Sequence, residues 1–334
     1  FQKKDDEATR DEVIAEFTES SWVPFKYGNG VYGLPETQYF NVMFYRTDIF
    51  EQLGLEIPQT WDDLVSILSV IEKNHMDVGI PSTERKINNV ANPDMNGFFA
   101  QLYQRGASLY NEEGTGVALD TDVAIEAFEK YTMFFTHYST PQDYVFVDRF
   151  RTGEMPIGFV DYNTFNTLVV SAPEIRGLWE MALIPGTLRT NENGEEYIDR
   201  SEQCWGVCSM MLEKSEKKTE AWTFLQWWAS ADVQARFGME LEAVMGESAR
   251  YATANKKAFD QLAWSNEQRE VLMEQWQWVV GTPEVPGGYY TSRHVVNAVR
   301  KVINAHEDPR ETLLDYTRDI NEEIHKKRTE FGLE

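Results

Sequence analysis

The run VYGLPETQYFNVMFYRTDIFEQLGLEIPQTWDDL, Val31 to Leu64, decides the fold. Val31–Pro35 and Phe40–Tyr45 are rich in aromatic and β-branched residues and read as extended segments. Gly33 permits a turn and Pro35 carries a locked φ, which predicts that Glu36–Phe40 is a loop presented beyond a strand end. A short helix follows from Asp48 and stops at Gly54. Thr60 then stands as an N-cap with Asp63 at the third helical position, while Leu64, Ile67, Leu68 and Ile71 fall on one face, so a helix runs on to Lys73.

The same rhythm of short apolar strands and longer capped helices continues outward, and it is an α/β pattern. Residues 11–20 read as helical. Further helices are predicted over 94–105, stopped by Gly106, and over 121–138, opened by Asp120-Thr121-Asp122. Met155–Val160 and Trp179–Ile184 read as strands, and Asn191–Glu196 as the tip of a hairpin before a strand around Cys204. The remainder reads as helical. Trp222, Leu225, Trp228 and Ala229 recur at helical spacing, Ser265 with Gln268 makes a capping box, and Asp308-Pro309 opens a long last helix.

A chain of 334 residues suits two lobes with a cleft between them better than one core. Its 42% hydrophobic and 26% charged residues are those of an ordinary globular protein. The 31 basic and 55 acidic side chains leave a net charge of -24, which repels phosphate backbones and anionic lipid, so nucleic acid is excluded as a partner. Cys204 and Cys208, four residues apart on a strand, lie about 13 Å apart, beyond disulfide reach, and are expected to be buried and reduced. No zinc-ligand spacing, nucleophile elbow or phosphate-cradling glycine loop is found, so no cofactor, metal or catalytic residue is expected. The opening Phe1-Gln2-Lys3-Lys4-Asp5-Asp6 holds no apolar leader segment, which leaves a cytoplasmic chain and a processed one both open.

Tyr32-Gly33-Leu34-Pro35, Phe44-Tyr45-Arg46-Thr47-Asp48-Ile49-Phe50 and Leu53–Leu64 together resemble the conserved run of family 1 extracellular solute-binding proteins of ABC importers. The likeness continues in Gly106–Tyr110, Phe150–Gly158, Trp205-Gly206-Val207 and Ala221–Trp228. It implies a type II periplasmic-binding-protein-like clamshell of two α/β lobes with a helical C-terminal region. Residues 1–90 are then expected to be the remainder of the N-terminal lobe, 91–240 the C-terminal lobe, and 241–334 a helical segment that crosses back over both. In the family many more residues precede this run than the 31 that precede Tyr32, so the first part of the N-terminal lobe is expected to be missing.

The ligand candidates come from the residues and from this resemblance. Gln38 and Tyr39 lie in the predicted loop, which could equally be a solvated turn. Asp161, Tyr162 and Asn163 follow a strand and combine a charged acceptor, an aromatic face and an amide, as sugar hydroxyls and CH faces require; a helix cap with a packed tyrosine is the plainer account. Tyr162 matches a family position that supplies aromatic contacts. Trp205, beside Gly206, is a stacking candidate, whereas Trp222, Trp227, Trp228, Trp276 and Trp278 sit at packing spacing on helices. Asp94, Asn96 and Phe99 open a helix where the family places contacts, although capping explains Asp94. Arg250 and Arg293 lie in segments similar to ones that return to the cleft, against a default of surface arginines.

The resemblance thus implies a monomeric, extracytoplasmic binding protein, lipid-anchored or periplasmic. It would close on a small-molecule ligand, a carbohydrate, and deliver it to an ABC permease with its ATPase. Two rivals stand beside it: a secreted glycoside-acting enzyme, and a carbohydrate-binding sensor or adhesin module.

Overall fold

The structure is a computed structural model that describes residues 12–28, 30–82, 86, 87, 90, 91 and 97–334. Its axis is β1, Leu34–Arg46, thirteen residues long and buried along almost its whole length because both faces are covered. β2 (Val78–Gly79), β3 (Ile157–Asp161), β4 (Trp179–Ala182), β5 (Glu202–Ser209) and β6 (Val279–Val280) complete the main sheet. The strand order is β6-β5-β1-β3-β2, with β4 also paired to β1.

The predicted loop Glu36–Phe40 is therefore corrected: it lies inside β1. Backbone partners on both edges hold it extended. Along one edge β5 runs antiparallel, with Thr37 opposite Val207 and Tyr39 opposite Trp205. Along the other, the Gln38 amide donates to Ala252 and the Ala254 amide to Glu36, at 3.1 and 3.0 Å. The second half of β1, from Asn41, is flanked instead by β3 and β4. β1, β5 and the Ala252–Ala254 segment thus lie side by side. Gly206 is obligatory in this contact, since a Cβ there would lie 2.2 Å from the Thr37 carbonyl oxygen.

Helices α1 (Trp61–Lys73), α2 (Gly97–Gln104) and α3 (Asp122–Thr136) pack on one face of the sheet. α1 opens on the predicted capping box: Thr60 Oγ1 accepts from the Asp63 amide at 3.1 Å and Asp63 Oδ2 from the Thr60 amide at 2.9 Å. Its buried face is Trp61, Leu64, Leu68 and Ile71. These residues share one core with Phe98, Phe128, Phe159, Val299 and Ile320. α1 thus shares its core with helices that follow it in the chain.

On the other face, Phe40, Val42 and Phe44 pack with Tyr162, Trp264 and Trp276. Here lie α4 (Thr164–Ser171) and α7 (Asn266–Gln277), the latter opened by the Ser265–Gln268 capping box. α5 (Lys218–Ala229) and α6 (Ala231–Met245) precede α7; α8 (Tyr289–Ala305) and α9 (Pro309–Glu330) follow it. α5 turns Trp222, Leu225 and Ala229 onto Phe17, Trp22 and Leu34. Trp227, on its far side, is 54% exposed, which corrects the expectation that it packs. The predicted helix over 11–20 is also interrupted within its described part, because Phe17 forms a β-bridge to Asn255. Both cysteines are free; Cys204 is buried and Cys208 half-buried. Among the described residues no helix is long and apolar enough to cross a membrane.

Candidate functional site

The pairing of β1 with β5 puts Tyr39 directly across from Trp205. Their rings stack with centroids 4.3 Å apart and planes at 17°. Tyr162, just past the end of β3, stacks on Tyr39 at 6.4 Å and is buried, its hydroxyl donating to the Gln38 carbonyl at 2.9 Å. Burial, and then the Tyr39 and Asp161 groups, push the Tyr162 phenol well up. Burial also raises the Tyr39 phenol; a bond with Thr37 opposes it, and the Asp161 and Glu36 carboxylates add to it.

Side chains two positions apart on a strand share a face, so Asn41 stands beside Tyr39 and Gln203 beside Trp205. Asn41 Nδ2 donates to Glu202 Oε1 at 2.8 Å, and Gln203 Nε2 to Thr282 Oγ1 at 2.9 Å. Thr282 Oγ1 also meets the Tyr103 hydroxyl at 3.1 Å. Left over are Asn41 Oδ1, Gln203 Oε1 and Trp205 Nε1, all buried without a protein partner. Each such group costs about 1–3 kcal/mol unless something bonds to it. Two acceptors and one donor thus surround an aromatic stack, which suits a ligand with hydroxyls on its edges and apolar faces.

The predicted residues divide around this floor. Tyr39, Trp205 and Asp161 come together there; Asp161 is buried opposite Asn41. Gln38 points to the other side of β1 and is 1% exposed: Oε1 accepts from Thr18 Oγ1 at 3.0 Å and Trp276 Nε1 at 2.7 Å, and Nε2 donates to Ser20 Oγ at 3.0 Å. Phe99 is fully buried in the core. Asp94 and Asn96 lie outside the described residues. Asn163 stands at the N-cap of α4 without capping it; its Oδ1 accepts from Asn166 Nδ2 at 2.7 Å.

Arg250 is buried elsewhere, held by Glu242 through Nε and Nη2 at 3.1 and 2.6 Å, with its guanidinium 4.8 Å from the Phe165 ring centroid and 4.6 Å from that of Trp264. It borders a cavity of about 840 Å³ shared with Trp179, Trp264 and Glu274. Arg293 is exposed on α8 over the Tyr290 ring. Asn41 and Gln203 were not singled out from the sequence, although each is two residues from an aromatic that was. Among the described residues no group of three His, Cys, Asp or Glu side chains could hold a metal ion.

The pattern that defines bacterial extracellular solute-binding proteins matches residues 4–267 of this chain. The chain belongs to that family. Of curated relatives, this solute-binding protein is 28% identical over 129 residues to the arabinooligosaccharide-binding protein of Halalkalibacterium halodurans, a match of 37% of this chain and 27% of that one. The chain spans between 27% and 53% of the length of the curated relatives it matches.

Among solved structures, the sugar-binding protein MalE of Xanthomonas citri superposes with a TM-score of 0.75 at 16% identity, covering 98% of this chain and 80% of that one. A solute-binding protein of Thermotoga lettingae bound with α-D-tagatose gives 0.74 at 19% identity, covering 94% and 77%. The expected two-lobe periplasmic-binding-protein fold is the fold of this solute-binding protein.

Proposed function

We propose that this solute-binding protein captures a carbohydrate on the Tyr39–Trp205 floor and hands it, unaltered, to an ABC permease and its ATPase outside the cytoplasmic membrane. The observation that carries this reading is the stacked pair with three partnerless polar atoms beside it. Sugar CH faces lie on rings while hydroxyls satisfy amide oxygens and an indole N–H. The names of the Halalkalibacterium, Xanthomonas and Thermotoga proteins, all sugar binders, support the same ligand class.

In this reading two lobes meet along the three chain passes β1, β5 and Ala252–Ala254, and a monomer suffices. A ligand touching both lobes favours the closed form by its difference in affinity for the two, and the importer reads the closed shape. No bond is made or broken in the protein's own step.

Calorimetric titration with a panel of mono- and oligosaccharides tests the reading. At least one sugar should bind and be recovered intact by chromatography. Tyr39→Ala and Trp205→Ala should each weaken it by about 10- to 100-fold, the scale of a lost aromatic platform, with the circular dichroism spectrum retained. Silence across the panel, or conversion of the sugar to products, would overturn the proposal.

A further inference from the structure

The chain that leaves β6 passes Gly281, where a Cβ would come within 2.3 Å of the Ser20 carbonyl oxygen. The backbone is thereby pressed inward, and Thr282 comes within reach of Gln203 on β5. Thr282 Oγ1 accepts from Gln203 Nε2 at 2.9 Å and meets the Tyr103 hydroxyl at 3.1 Å. One hydrogen lies between the two hydroxyls, and a lone pair of Thr282 remains for the Gln203 amide. Asn41 is held in the same sense: its Nδ2 donates to Glu202 Oε1 at 2.8 Å, and a carboxylate oxygen accepts without donating.

A side-chain amide turned over exchanges an acceptor for a donor, so whatever fixes its orientation fixes what it can recognise. At both positions the nitrogen is committed to the protein, and the buried oxygens Asn41 Oδ1 and Gln203 Oε1 are left over. A hydroxyl satisfies such an oxygen only by donating its hydrogen. Fluorine is close to a hydroxyl in size and has no hydrogen to give, so it would leave the buried acceptor unpaired.

We infer that Glu202 and Thr282 are positioning residues that set the specificity of the floor: each holds an amide with its oxygen toward the sugar, so that the floor reads the hydrogens of two hydroxyls and rejects a sugar with fluorine, an ether or a carbonyl in their place. This deepens the sugar-binding reading and rests on it. Rejection should amount to about tenfold or more at each position, the scale of a buried acceptor left without a donor. Both residues act through the amides, without touching the sugar.

Calorimetry takes the tightest binder among glucose, galactose, mannose, xylose and arabinose, each as monomer and trimer, and then its analogues with one hydroxyl at a time replaced by fluorine. In the parent protein two of the replacements should weaken binding by about tenfold or more. Thr282→Val frees the Gln203 amide to turn over and should cut one of these penalties to about threefold or less, while Glu202→Gln, whose own amide can donate to Asn41 Oδ1, should cut the other likewise. A merely structural role would weaken the sugar and its fluoro analogues alike and leave their ratios unchanged. Thr291→Val removes a similar buried bond, from the Tyr110 hydroxyl at 3.0 Å, and should leave both ratios as they are. A parent protein with no penalty above about threefold, or penalties that survive both variants, would overturn the inference and leave sugar binding standing; a single variant that leaves both penalties in place would remove its residue from the assignment. No heat from any of the sugars would remove the sugar-binding reading and this inference together.

Discussion

Replacing Gln38 by methionine separates scaffold from site. The side chain keeps nearly the same volume, so packing changes contribute less than about 1.5 kcal/mol. The polar loss is uneven. Thr18 and Ser20 keep each other, their hydroxyls being 3.0 Å apart. Trp276 does not: its ring is buried and its Nε1 bonds to Gln38 Oε1 at 2.7 Å. A buried N–H stripped of its acceptor costs about 1–3 kcal/mol, so the variant should lose about 2–3 kcal/mol in all.

For a chain of this size that corresponds to a fall in Tm of about 3–4 °C, measurable by scanning calorimetry beside the parent. Sugar affinity, titrated well below the new Tm, should change by less than about twofold, because Gln38 lies across the strand from Tyr39 and does not reach the floor. A variant that keeps its Tm and loses sugar would refute this placement and return Gln38 to the ligand site.

Arg250→Met leaves the half-buried Glu242 carboxylate without its bidentate partner and should cost about 2–4 kcal/mol in urea denaturation, less than for a fully buried pair, with much of it regained in Arg250→Met/Glu242→Gln; a loss below about 1 kcal/mol would contradict the pairing. Burial pushes the Cys204 thiol up to about 12, so iodoacetamide at pH 8 should modify it about a thousandfold more slowly than a free thiol until the chain is unfolded, and rapid native labelling seen by mass spectrometry would refute its burial. The Arg46 guanidinium, bonded to Asp48 at 2.7 and 2.8 Å, holds that carboxyl below its ordinary 3.8. A depressed folded pKa contributes stability above pH 3.8 that is lost as pH falls through the folded value. Asp48→Asn should therefore be the less stable protein at pH 7, with the difference closing below pH 3.8; a difference constant from pH 7 to 3 in urea midpoints would rule the linkage out.

Local chemistry was legible in the residues themselves. Thr60 with Asp63 and Ser265 with Gln268 each close a cap within four positions, so no distant part of the chain is needed to form them. The Val31–Leu64 run carried the family and with it the fold, because its turn, strand and helix signals come in one order. The reading failed at Glu36–Phe40, where a polar, proline-led stretch has every local mark of a loop. It is a strand because β5, some 165 positions later, and Ala252–Ala254 supply the missing hydrogen bonds.

That pairing also decides the site. Once β1 is extended, alternation sends Gln38 to Trp276 and Tyr39 to Trp205, neighbours that look alike in the sequence and do opposite work. Composition and motif order determined the α/β class, the family and the acidic character, since those depend on which residues are present and how they are spaced. Only the tertiary structure decided which aromatics stack, which amides are left partnerless and which arginine is buried, because each depends on two strands or helices far apart in the chain arriving at one register.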